Sequence, residues 1–222
     1  PRAIVDSTPG TTRDALDTPL LREGRKYLFI DTARIRRKSK VTERVEKYSA
    51  IKALKSLERC DVALVLIDGF EGLTEQDARI SQFAEESGRA LILVVNKWDL
   101  VQKETHTMEE YKERIQREMK TLDYVPTLFI SATTGQRVSH LFQAIDEVRA
   151  EHRKRITTGE LNNWLKKAKE NYPPPAFHNR PVKLLFISQV SIAPPTFVLF
   201  LNEPLGLGES YQRYLLRHLR EK

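Results

Sequence analysis

Residues 91–100 read LILVVNKWDL, an apolar run that ends on Asn96, Lys97 and Asp99. A short β-rich run of this kind is a buried strand, and its polar end marks where a ligand can be met. The carboxylate of Asp99 can accept both the N1 proton and the exocyclic amine of guanine, a donor pair that adenine lacks. Asn96 can brace the loop and reach the base edge, while the aliphatic stem of Lys97 can lie along the purine face. NKxD alone is a four-residue pattern, and a strand ending in an ordinary polar turn is its plain alternative. The neighbouring strands decide between them.

At 222 residues and 25.7 kDa the chain has room for one large or two modest domains. Its longest apolar runs, VALVLI and ALILVV, are six residues each, far short of the ~20 that cross a bilayer. No membrane partner and a cytoplasmic location are therefore expected. Cys60 is the single cysteine; it forms no intrachain disulfide, suits a reducing compartment, and reads as a small buried hydrophobe ahead of VALVLI. The net charge is +7. Residues 157–222 carry 9 basic and 5 acidic side chains against 28 and 25 in residues 1–156, so the second segment tilts toward a polyanionic partner. A solvated surface explains an excess of that size equally well.

From Ala15 to Arg155 short apolar strands alternate with amphipathic helices, the pattern of a mostly parallel sheet with crossover helices. The strands are KYLFID (26–31), VALVLID (62–68), ALILVVN (90–96) and TLFIS (127–131). Arg22, Glu23 and Gly24 separate LDTPLL from KYLFID and predict a hairpin that makes one edge strand antiparallel. Helices are expected at 43–58, 74–87, 108–121 and 138–155, with capping boxes at Thr74/Asp77 and Thr107/Glu110. Near Thr157 the pattern changes to a helix over 158–171, stopped by Asn171, Tyr172 and three prolines, two strands (VKLLFISQVSI and TFVLFLN), and a helix over 209–221. That α-β-β-α order predicts a second, small α+β domain over 157–222 after a first domain over 1–156.

In doubly wound sheets ligands lie beyond the carboxyl ends of the strands. KYLFID ends in Asp31, ALILVVN runs into NKWD, and TLFI is followed by Ser131, Ala132 and Thr133. These three motifs resemble those of translation-factor-type GTPases. The resemblance implies that Asp31 is the acidic residue of a DxxG motif holding Mg²⁺ through water, that Asn96, Lys97 and Asp99 recognise guanine, and that Ser131 and Ala132 form the loop whose backbone contacts the base. PGTTRDALDT, Pro9 to Thr18, resembles the first switch segment of Era-like and EngA-like bacterial GTPases. There the resemblance places a Mg²⁺-coordinating threonine at Thr12, with Thr11 as the alternative. ELNNWL, PPP and QVSIAPPTFVLFLNEP are similar to the C-terminal KH-like domain of the EngA/Der family. The chain thus resembles that family along its length, corresponding to its second GTPase domain plus the KH-like domain. The implied fold is a P-loop-NTPase-type α/β sheet followed by a KH-like domain, and the implied cofactors are GTP or GDP, Mg²⁺ and K⁺.

The chain departs from the family in two places, and two further motifs of related proteins are missing from it. It contains no GxxxxGK[ST] sequence, the loop that grips phosphates and supplies a hydroxyl to Mg²⁺; as it stands it is expected to be inactive in hydrolysis, with more residues upstream in the natural protein. Arg34 stands where the family has a glycine that approaches the γ-phosphate. Ile35 occupies the place of the water-orienting glutamine of Ras-like proteins, so the resemblance implies a potassium-assisted mechanism instead. No GxxG loop of the kind KH domains use occurs in 157–222, and a last strand is expected beyond Lys222.

Two functions follow. The first is a GTP-binding and GTP-hydrolysing switch that assists assembly of the large ribosomal subunit through rRNA, with another GTPase domain of the same protein upstream, as the resemblance implies. The second is an RNA-binding or interdomain scaffold without nucleotide chemistry. RIRRKSK, 34–40, with five basic residues in seven, is either an RNA contact or a solvated loop. The five histidines show no metal spacing and read as surface residues, and Trp98 and Trp164 read as packing residues. Asn202 and Glu203 read as turn formers.

Overall fold

The computed structural model describes residues 17–30, 56–102, 104 and 106–221. Its chain divides after Ala63 into two compact units. In the first, β1 (Asp17–Arg22) and β2 (Arg25–Ile30) pair antiparallel, with Asp17 opposite Ile30. The two-residue turn between them holds Glu23 at φ 50° and Gly24 at φ 77°. Positive φ at both positions is what a tight hairpin needs to match strand twist; the expected hairpin is present, but among the described residues it forms a two-stranded sheet of its own and supplies no edge strand to the parallel sheet. Cys60 is half-buried rather than fully buried, and its Sγ lies 3.4 Å from the Leu57 carbonyl.

The parallel sheet β3-β4-β5 is made of β3 (Val62–Asp68), whose first two residues precede the division, and of β4 (Ala90–Asn96) and β5 (Thr127–Phe129) of the second unit. β4 is central, and Ala90 to Val95 are all buried. Its unbroken apolar run is the signature of a strand covered on both faces. Helices α1 (Glu75–Glu86) and α3 (Val138–His152) pack on β4. α1 opens on the expected capping box, with Thr74 Oγ1 accepting from the Asp77 amide and Asp77 Oδ2 from the Thr74 amide.

The box expected at Thr107 is not formed. α2 (Thr107–Glu118) begins after His106, and Thr107 Oγ1 instead accepts from the Glu104 amide at 2.7 Å. The hydroxyl lies inside the helix's first residue, where it can bond back to the preceding turn, so it does not reach forward to an N-terminal amide. α2 also stops earlier than expected, giving way to a 3₁₀ turn at Lys120–Leu122, and α3 ends at His152.

Beyond residue 157 the order is α4 (Thr158–Asn171), β6 (Leu184–Ile192), β7 (Pro195–Leu201) and α5 (Glu209–Arg220), with β6 and β7 antiparallel. Leu161, Trp164, Leu165 and Ala168 recur at i, i+3, i+4 and i+7 and bury the apolar stripe of α4 against Leu184, Ile187, Tyr211 and Leu215. Burying Trp164 alone removes an aromatic ring from water, a gain of about 2–3 kcal/mol, and its Nε1 donates to the His218 carbonyl. The Asn162 side chain closes the outer edge of β6, donating to the Ile187 carbonyl at 2.9 Å and accepting from its amide at 3.1 Å. The Asn202 side chain braces the segment ahead of β6 rather than its own turn: its Oδ1 accepts from the Lys183 amide and its Nδ2 donates to the Pro181 carbonyl.

The segment joining α3 to α4 is held by Gln189 of β6, a fully enclosed amide that accepts from the Ile156 amide at 2.8 Å and donates to the Lys154 carbonyl at 3.0 Å. At the end of α5, Arg220 lies 3.7 Å over the Tyr124 ring and pairs with Glu85 of α1 at 2.9 Å.

Candidate functional site

The site sits where β3, β4 and β5 end. β3 finishes on Asp68, β4 on Asn96, and Ser131 follows β5 two residues past its end. Three strand ends in register place their polar residues on one rim, which is why motifs spread over residues 68–137 meet.

Asn96 makes the decisive contact. Its Oδ1 accepts from the Ala132 amide at 3.0 Å, so the NKWD loop and the Ser131–Ala132 loop are one construction. The second loop is closed on itself: Ser131 is buried, its amide donates to the Gln136 carbonyl, and its Oγ accepts from the Thr134 amide at 3.1 Å. Ser131 therefore shapes the loop from within, while Ala132 is exposed beside Asn96.

Lys97 adopts φ 59°, a left-handed conformation that reverses the chain at the strand end. The Trp98 amide then donates to the Ile130 carbonyl and the Leu100 amide to the Lys97 carbonyl. Trp98 is buried, 4.5 Å from the Phe129 ring centroid and edge-on to Tyr111 at 5.6 Å. It anchors the loop in the core as a packing residue and offers no face to a base. With Trp98 turned inward, Asp99 is exposed on the rim.

Asp68 was not singled out from the sequence, yet it holds Lys97. The two are ion-paired, and Asp68 Oδ1 also accepts from the Phe70 and Glu71 amides at 3.0 and 3.3 Å. Burial alone would raise the Asp68 carboxyl, but the Lys97 ammonium and these two amides outweigh it and hold the group below its ordinary value. Gly69 is the other residue missed. Its amide donates to the Asn96 carbonyl at 2.8 Å, and a Cβ placed on it would meet that same oxygen at 2.8 Å. Applying the strand-end rule to VALVLIDG, as to ALILVVN, would have drawn attention to both.

Asn96, Lys97, Asp99, Ser131 and Ala132 are thus brought together. Thr12, Asp31, Thr11, Arg34 and the RIRRKSK run lie outside the described residues. Among the described residues no cluster of His, Cys, Asp or Glu is placed to hold a metal ion, and no helix is long and apolar enough to cross a membrane. His152 and His218 are half-buried rather than on the surface; a His152 ring nitrogen lies 2.9 Å from the Gly88 carbonyl and the His218 ring stacks against Tyr214.

Two family models match the chain. The KH-domain-like C-terminal domain of EngA bacterial GTPase enzymes matches residues 155–222, and the elongation factor Tu GTP binding domain matches residues 47–151. GTPase Der of Caldanaerobacter subterraneus subsp. tengcongensis is 49% identical over 220 residues, 99% of this chain and 50% of that protein. GTPase Der of Moorella thermoacetica is likewise 49% identical, with the same coverage. The chain spans about half the length of these relatives. Among solved structures, Era in complex with MgGDPNP and nucleotides 1506–1542 of 16S ribosomal RNA superposes with a TM-score of 0.54 at 20% identity, covering 99% of this chain and 79% of that one. A variant of Aquifex aeolicus Era bound to GDP and AlF4⁻ gives 0.54 at 22% identity, covering 98% and 78%. At such identity the likeness is one of fold.

Proposed function

Because the chain belongs to the EngA/Der family of bacterial GTPases, we propose that the rim formed by Asn96, Lys97, Asp99, Ser131 and Ala132 is its guanine-recognition site and that it serves a GTP-binding and GTP-hydrolysing switch protein. The observation that carries this reading is the hydrogen bond from the Ala132 amide to Asn96 Oδ1. It joins two loops that are remote in sequence and leaves the Asp99 carboxylate exposed beside them.

Each residue then has a role. Asp99 accepts the N1 proton and exocyclic amine of guanine. Asn96 and Ser131 hold the two loops in place, and Asp68 fixes Lys97 so that its stem lies along the purine face. The Mg²⁺ that such proteins use neutralises phosphate charge; Thr12 and Asp31 would hold it, the latter through water. K⁺ would assist hydrolysis where Ile35 replaces glutamine. Residues 1–156 form the GTPase domain and 157–222 the KH-like domain, which carries the rRNA contact of a cytoplasmic protein acting in large-subunit assembly. A further GTPase domain of the same protein precedes this segment.

Titration of the chain with fluorescent GDP, with ADP and XDP as competitors, tests the reading. Asp99→Asn should reverse the preference from guanine to xanthine, since the amide can donate where the carboxylate accepted. Loss of the carboxylate that accepts both guanine donors corresponds to roughly 10- to 100-fold in affinity for GDP. An unchanged preference in the variant would refute the loop assignment. An absence of guanine-selective binding in the native chain would favour the RNA-binding or interdomain scaffold.

A further inference from the structure

β5 has an open side. Among the described residues it pairs only with β4, in the register Leu93 with Thr127, Val94 with Leu128 and Val95 with Phe129. The Leu93 amide donates to the Pro126 carbonyl and the Ile130 amide to the Val95 carbonyl. In a parallel ladder alternate residues present both backbone groups to the same neighbour. Pro126, Leu128 and Ile130 therefore serve β4, and Thr127 and Phe129 turn their N–H and C=O groups to the open edge.

That edge lies in a groove of about 360 Å³ between α2 and the start of α3. Met108, Leu128 and Ile130 supply apolar lining, and Lys112, Arg137 and His140 are its titratable side chains, all basic and all exposed. Arg137 Nη1 lies 3.9 Å from Met108 Sδ, spanning the groove's end. Glu104 and Glu109 belong to a neighbouring depression that shares Met108 and Arg137; neither carboxylate lines the strand-side groove.

We propose that this edge is a docking surface for an extended acidic peptide from a protein partner, added to the sheet as a strand beside β5. Its backbone pairs with Thr127 and Phe129, which are spaced by the two-residue repeat of a strand, roughly 6.6 Å. Its alternate side chains divide between the apolar lining and the two cations, where carboxylates meet Lys112 and Arg137 beside the His140 ring. A nucleic-acid strand could use the cations and cover the apolar lining, but it lacks the alternating N–H and C=O row whose repeat matches Thr127 and Phe129. The peptide satisfies all three. The proposal is independent of the guanine site.

The probe is a fluorescein-labelled peptide of alternating glutamate and valine, followed by fluorescence anisotropy as the 222-residue chain is added. Saturable binding is expected. It should weaken about tenfold or more in the double variant Lys112→Glu, Arg137→Asn, as expected for losing two charge-assisted contacts. Asparagine keeps the left-handed backbone found at Arg137, φ 57°, and circular dichroism with a thermal melt verifies folding. N-methylation of the peptide's alternate amides, made in both possible phases, should abolish binding in one phase at least. Three results would overturn the proposal: no saturable binding to the native chain, undiminished binding by both N-methylated peptides, or displacement of the peptide by a single-stranded oligouridylate that binds more tightly.

Discussion

Asn96 and Ala132 are 36 residues apart in sequence and joined by one hydrogen bond of 3.0 Å, side-chain oxygen to backbone amide. The bond turns two strand-end loops into a single rim. Replacing Asn96 by alanine leaves the Ala132 amide without its acceptor and frees both loops. Affinity for fluorescent GDP should fall roughly 10- to 100-fold, while the thermal midpoint moves by only a few degrees. A variant that binds as tightly as the native chain would remove Asn96 from the site.

Gly69 tests the packing beneath the rim. A methyl group there would sit 2.8 Å from the Asn96 carbonyl oxygen and 3.1 Å from Val95 Cγ1. Neither neighbour can yield, since one is backbone and the other lies in the buried central strand. Gly69→Ala should cost about 1–3 kcal/mol and weaken guanine binding by shifting the end of β4. Urea denaturation and GDP titration of the same variant measure the two effects.

Asp68 predicts an acid-side dependence. Its folded-state carboxyl titrates below the ordinary value of 3.8, so its contribution is complete above that value and is lost as pH falls through the lowered one. Asp68→Asn cannot make this contribution at any pH. The gap in urea midpoint between native chain and variant should therefore be constant above about pH 5 and narrow toward pH 3. A gap that widens on acidification would contradict the ion pair with Lys97.

Tyr211 predicts the opposite limb. Burial pushes its phenol from 10.0 up to about 12, and the Oη donates to the Tyr172 carbonyl at 2.7 Å. Because the folded value is raised, its stabilisation is complete below the ordinary value and is lost as pH climbs through that of the folded state. Tyr211→Phe should cost about 1 kcal/mol at neutral pH for the missing hydrogen bond and lose less stability than the native chain as pH rises from 10.0 to about 12. Denaturant midpoints across that range decide it.

Arg220 joins the last helix to the sheet-bearing part of the same unit, over Tyr124 and against Glu85. Its guanidinium is partly exposed, so the expected cost of Arg220→Ala is modest, about 0.5–1.5 kcal/mol. Arg220→Lys should recover only part of it, because an ammonium lacks the planar group that stacks on the ring. Full recovery by lysine at low salt, lost on adding salt, would show that charge alone mattered.

The alternation of apolar runs with amphipathic stretches determined β3, β4, α1 and α4 nearly to the residue, because each pattern repeats with the period of the element that buries it. The Glu23–Gly24 turn and the Thr74 cap were equally legible, since their chemistry acts within a few residues. Thr107 looked like a second cap and was not, because whether a hydroxyl precedes the helix or begins it depends on where packing starts the first turn.

The residue types proposed to choose a base, Asn96 and Asp99, are written in the NKWD run itself. Their union with Ala132, the anchoring of Lys97 by Asp68 and the need for Gly69 are not. Each depends on strand ends lying side by side, and neighbours in a parallel sheet are distant along the chain. Sequence alone determined which groups could recognise guanine. Only the tertiary structure decided which of them meet, through pairing between strands that local preference cannot encode.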